Sequence, residues 1–129
     1  MKKFLLFAAV AVLTLTGAGK KDKSAFSKEN GATVVNTTEI CKSVDGYNGP
    51  VPVKIYIRKN KVEKIEMLNN QEGPKYVSAV KKHLLEAWNG LGIKEATTKE
   101  VDAVTGATFT SKAFIENVRQ GLDYYQKNK

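Results

Sequence analysis

One cysteine, one histidine, one tryptophan and three prolines are all that 129 residues contain of those types. A lone thiol excludes an internal disulfide, so the fold rests on its core instead of on cross-links. His83 has no histidine or cysteine at metal-ligand spacing, which disfavours a zinc site, and no metal ligand is assigned. The longest apolar run, residues 4–13, covers ten positions, half of the roughly 20 that a helix needs to span a bilayer. Acidic residues are also few, 13 against 21 lysines and arginines, for a formal charge of +8. These positives are scattered and form no stripe interleaved with stacking aromatics, so no nucleic-acid partner is expected. Such a charge suits a soluble, solvated surface and attraction to anionic ligands or surfaces.

What is present begins with an export pattern. Lys2 and Lys3 precede the apolar run, and small and hydroxyl residues follow it through Gly19. That order of charged, apolar and small segments predicts a signal peptide over 1–19. Leu15-Thr16-Gly17-Ala18 is similar to a bacterial lipoprotein signal, Leu-x-Gly-Cys, with alanine where the acylated cysteine stands. Ordinary cleavage near Ala18 or Gly19 and replacement of a native cysteine are both compatible with it, and membrane association stays open. The expected location is exported, in the periplasm or at the cell surface. Residues 20–31 are polar and charged and predict a flexible linker; residues 32–129 form one domain.

Within that domain a β-branched run favours a strand over 33–44, with Cys41 as a small buried filler. A turn cluster, Asp45-Gly46-Tyr47-Asn48-Gly49-Pro50, leads to strict alternation of Val51, Val53, Ile55 and Ile57, a strand with one buried face. Pro52 places that strand at an edge, or itself among the strand's first residues. Lys59-Asn60 suits a hairpin turn, and the spacing of Val62, Ile65 and Met67 predicts a return strand with a bulge. Helices follow over 75–89 and 111–126, each with an apolar stripe. The fold class is α+β, a small antiparallel sheet packed against two helices. Tyr47, Tyr76 and Trp88 are read first as core aromatics, with stacking on a ligand ring as the second reading.

The chemistry concentrates in Asp102-Ala103-Val104-Thr105-Gly106-Ala107-Thr108-Phe109-Thr110-Ser111. Gly106 and Ala107 are small enough for backbone to approach a phosphate, and the start of the following helix offers free amides to an anion. A threonine hydroxyl there can bond a phosphate or carry one covalently. The plainer roles of Thr105, Thr110 and Ser111 are turn and N-cap residues. The Gly-Lys-Ser/Thr ending of a P-loop is missing.

Asp102, Thr105-Gly106-Ala107-Thr108 and Thr110-Ser111 resemble the covalent flavin-attachment signature of the FMN-binding domain family. That family includes the flavin-carrying C subunit of the sodium-translocating NADH:quinone reductase, the G subunit of the Rnf complex and small exported flavoproteins. Gly46-Tyr47-Asn48-Gly49-Pro50 and Glu72-Gly73-Pro74 resemble further family segments, and the likeness spans residues 47–122. Gly73 stands where the family commonly has threonine, which removes a hydroxyl from that loop.

The resemblance implies FMN joined to Thr108 through a phosphodiester. Asp102, Thr105, Gly106, Ala107, Thr110, Ser111 and Glu72 are the surrounding cofactor-binding candidates. It implies loading by a separate Mg-dependent flavin transferase and redox partner proteins or a quinone-linked complex. The role is that of an electron carrier with no catalytic residue of its own. A noncovalent FMN reductase component lacks a nicotinamide fingerprint here, and a secreted binding module would not need the Thr-Gly-Ala-Thr cluster.

Overall fold

The computed structural model describes residues 25–129. The export segment expected over 1–19, Ala18 included, and the first part of the linker lie outside the described residues. In chain order the elements are β1 (Phe26–Glu29), β2 (Ala32–Asn36), β3 (Val53–Arg58), β4 (Lys61–Met67), α1 (Pro74–Leu84), α2 (Ile93–Thr98) and α3 (Thr108–Asn128). The strands make one sheet in the order β1-β2-β3-β4, and every neighbouring pair is antiparallel. The domain is α+β as expected, with a short third helix added.

Lys59 and Asn60 both hold positive φ, 53° and 61°. That is the turn whose twist matches a two-residue hairpin. The β3–β4 register runs from Val53↔Met67 to Arg58↔Lys61 and shifts between Tyr56 and Ile57, leaving Glu63 with no residue opposite it in register. This bulge lets Val62 and Ile65, three residues apart, both face inward. Pro52 precedes β3, which is a central strand, so its missing N–H costs no ladder bond.

Helices cover one face of the sheet. Val35, Val53, Ile55 and Ile57 meet Phe114, Val118 and Leu122 of α3, with Val80 and Leu84 of α1 beside them. Trp88 belongs to this core as expected, its ring centroid 5.9 Å from that of Phe114.

Four expectations need correction. The linker does not extend to residue 31, because residues 26–29 form β1. Asn30 and Gly31 (φ 52° and 84°) turn the chain into β2, and Phe26 packs edge-on against Tyr124 at 5.4 Å. The strand expected over 33–44 stops at Asn36, whose side chain accepts from the Thr38 amide (2.9 Å) and hydroxyl (2.6 Å). Such an Asx turn takes the backbone out of the ladder. Cys41 is therefore buried in a turn, not in a strand.

The helix expected over 75–89 ends at Leu84, since residues 90–91 bond back to Val62. The connecting segment that follows contains α2, held by buried Ile93 and Ala96. Its six residues are too few to display helical periodicity in sequence. Finally, α3 starts at Thr108, three residues before the expected Ser111.

Candidate functional site

Positive φ at Gly106 (87°) redirects the chain after Thr105, a conformation that a side-chain-bearing residue adopts only with strain. The Ala107 carbonyl then accepts the first intrahelical bond of α3, from the Ser111 amide at 2.9 Å. The amides of Thr108, Phe109 and Thr110 lie ahead of that bond, no side chain caps the helix, and no acidic residue sits in its first turn. Free amides and the positive end of a 21-residue helix dipole therefore converge at Thr108.

Thr108 itself is exposed. It lies in a cleft of about 200 Å3 lined by Tyr47, Tyr76 and residues 106–110. Tyr47, Tyr76 and Phe109 are 70%, 37% and 64% exposed and are the large hydrophobic side chains left open to solvent among the described residues. All three line this one cleft. Tyr47 and Tyr76 thus line an open cleft, which corrects their first reading as core aromatics and leaves the second, ring stacking. Phe109 was legible from phase alone, since it falls off the buried stripe of Phe114, Val118 and Leu122.

The remaining motif residues separate into two groups. The Thr110 and Ser111 hydroxyls point inward. Thr110 donates to the Glu72 carboxylate at 2.5 Å, and Ser111 accepts from the Val104 amide at 3.0 Å. Both side chains are buried with their hydroxyls engaged inside the protein, and neither acts as an N-cap. Asp102 and Thr105 are exposed and line a separate groove with His83 and Leu84.

Glu72 is 6% exposed. It accepts the Tyr47 amide at 2.7 Å and the Asn48 amide at 2.6 Å in addition to Thr110. Burial pushes its carboxyl up, but the Thr110 hydroxyl and the two amides outweigh that and hold it below the ordinary value. At Gly73 an added Cβ would stand 3.0 Å from Tyr76 Cδ2. The ring of Tyr76 fills the side of the loop that a side chain would occupy. Among the described residues, no three His, Cys, Asp or Glu side chains come together as a metal cluster would require.

An aromatic wall beside unclaimed helix amides is a donor set for a planar heterocycle carrying a phosphate. A family model described as FMN-binding domain matches residues 46–123, from the turn before Tyr47 almost to the end of α3. The chain belongs to the FMN-binding domain family. It is a flavoprotein domain whose cofactor is FMN. A search of curated proteins finds no match. The matched span of this FMN-binding domain includes every wall of the cleft, and the residues present fit the cofactor's two halves. The three rings suit the flavin, and the α3 amides suit its phosphate.

Proposed function

We propose that this chain is an exported electron carrier whose FMN is esterified to Thr108 by a separate Mg-dependent flavin transferase. The observation that carries the reading is the placement of Thr108. It is the exposed hydroxyl at the uncapped start of α3, in the cleft where Tyr47, Tyr76 and Phe109 meet. Its neighbours Thr110 and Ser111 have hydroxyls already engaged inside the protein.

Transfer from FAD balances simply. The Thr108 Oγ1–phosphorus bond forms, the pyrophosphate bond breaks, AMP leaves, and the threonine proton passes to a base. A threonine hydroxyl is a weak nucleophile without an adjacent base. His83 and Asp102 line a groove distinct from the Thr108 cleft, so the base belongs to the transferase. Asp102 and Thr105 on that groove suit recognition by the transferase more than contact with the flavin.

Once attached, the phosphodiester would be held by the free amides of Thr108, Phe109 and Thr110, with the helix dipole offsetting its charge. The bound flavin supplies one- and two-electron redox chemistry. The chain orients it against its aromatic wall and leaves one edge open to redox partner proteins or a quinone-linked complex. A tether serves a protein in the periplasm or at the cell surface, where a dissociated cofactor would be diluted away.

Co-expression with a flavin transferase, followed by denaturing electrophoresis, tests this directly. Flavin fluorescence should stay with the wild-type band and be absent from Thr108→Ala. Colour lost on unfolding, or retained in Thr108→Ala, would refute the assignment.

A further inference from the structure

Glu72 is a buried carboxylate with no cation in ion-pair reach among the described residues. Burying such a charge is unfavourable unless hydrogen bonds replace its water. Here three donors do so. Oε1 accepts from the Tyr47 amide and the Thr110 hydroxyl, and Oε2 accepts from the Asn48 amide. Those donors come from two segments distant in sequence, the loop after β2 and the first turn of α3. These same two segments supply facing walls of the cleft, with the Tyr47 ring on one and Phe109 and Thr108 on the other.

Glu72 itself does not line the cleft. Its backbone is fixed in turn, its amide donating to the Asn70 side chain at 3.0 Å. Gly46 is part of the same arrangement. A Cβ there would overlap the Glu72 carboxylate oxygen and stand 2.9 Å from its Cδ. The loop can close on the carboxylate only because residue 46 has no side chain.

We propose that Glu72 is a positioning residue for the flavin site, a carboxylate latch that joins the Tyr47 loop to the first turn of α3 without touching the cofactor. This gives its expected place among the cofactor-binding residues an indirect form, and it rests on the FMN reading of the cleft given above. The latch sets the distance between the Tyr47 ring and Thr108, and so decides whether a flavin carried on α3 meets an aromatic face. In Glu72→Gln one acceptor oxygen becomes an NH2 group, which cannot accept a backbone amide. Gly46→Ala breaks the latch from the other side with the carboxylate still present.

The test has two parts. In the unloaded chain, hydrogen exchange at the Tyr47 and Asn48 amides should accelerate by about tenfold or more in Glu72→Gln, the loss expected for removing a charged acceptor from part-buried amides. Gly46→Ala should do the same. After transferase treatment, both variants should carry flavin on Thr108 in the denatured gel. Its emission in the folded protein should rise toward the denatured level, because the quenching tyrosine has moved away.

Unchanged amide exchange in both variants overturns the latch. So does faster exchange with emission still quenched as in wild type. Loss of tethering with normal exchange would show that Glu72 contacts the flavin or the transferase itself, and also overturns it. A wild-type chain that takes up no flavin instead refutes the function proposed above, and the exchange experiment then decides the latch alone. Should Glu72→Gln not fold, Thr110→Val removes one donor and carries the same expectations for emission.

Discussion

The rings of Tyr47 and Phe109 lie with centroids 6.0 Å apart and planes inclined by 37°, each more than half open to solvent. Two exposed aromatics from segments some sixty residues apart in sequence meet in the cleft that Thr108, proposed to carry the cofactor, also lines. Removing either ring separates binding from stability. Tyr47→Ala or Phe109→Ala should shift unfolding free energy by no more than about 1.5 kcal/mol, the upper range for an aromatic pair. In the loaded protein each should raise flavin emission and weaken its visible circular dichroism. Chemical denaturation and the two spectra check this. Wild-type emission and dichroism in both variants would remove the aromatic wall from the flavin site.

Acid should reveal Glu72. Its carboxyl lies below its ordinary value in the folded chain, because the Thr110 hydroxyl and the Asn48 and Tyr47 amides favour the charged form more than burial opposes it. A depressed folded-state value means that the charged carboxylate stabilises the fold at neutral pH. That stability is lost as pH falls from the ordinary carboxylate range through the lower folded-state value. Wild type minus Glu72→Gln, measured by urea unfolding at stepped pH, should therefore be largest near neutrality and shrink in acid. A difference that grows on acidification would reverse the sign and contradict the hydrogen-bonding account.

Much of the sheet was legible because its signals are local. The alternation of Val53, Ile55 and Ile57, the Lys59-Asn60 turn and the odd spacing of Val62 and Ile65 each specify geometry within a few residues. β1 carried one such signal, the Asn30-Gly31 pair, a strong hairpin dipeptide. Its four residues are otherwise polar, and its single aromatic anchor, Phe26, packs against Tyr124 and Tyr125 at the far end of the chain. The site divides in the same way. Thr108 and Gly106 were identifiable from the motif, whereas the partners of Glu72 lie 24, 25 and 38 residues away and leave no mark on its own neighbourhood. For Tyr47 and Tyr76 the sequence left core and ring-stacking roles side by side, because exposure depends on which loops close over a ring, and residue type does not encode that.

Cys41 should behave as an inert thiol. Burial pushes its pKa up to about 11, Glu116 adds to the rise, and Arg119 opposes it. Its sulfur donates to Gln120 Oε1 at 3.6 Å. At pH 8 only about one thiol in a thousand is then ionised, and the thiolate is the reactive form. Alkylation by iodoacetamide in the folded protein should be far slower than in urea, by about a hundredfold or more. Equal rates would place Cys41 at the surface.

A last prediction concerns how α3 is seated on the sheet. The Thr37 hydroxyl donates to Asn117 Oδ1 at 2.5 Å and accepts the Val53 amide at 2.9 Å, and Asn117 Nδ2 donates to the Ala113 carbonyl at 2.9 Å. Both side chains are fully buried. Thr37→Val keeps the shape but leaves the Val53 amide and Asn117 Oδ1 without partners, a loss of about 1–3 kcal/mol per group. Adding Asn117→Leu removes one of the two orphaned groups. The double variant should therefore be less destabilised than the sum of the singles, a coupling readable in a double-mutant cycle. Asn117 lies nine residues along α3 from Thr108, about 13 Å at 1.5 Å per residue. Flavin tethering should consequently survive in Thr37→Val at temperatures where it is folded. Additive losses would show that the two side chains act independently, and loss of tethering in folded protein would show that the seating of α3 reaches its first turn.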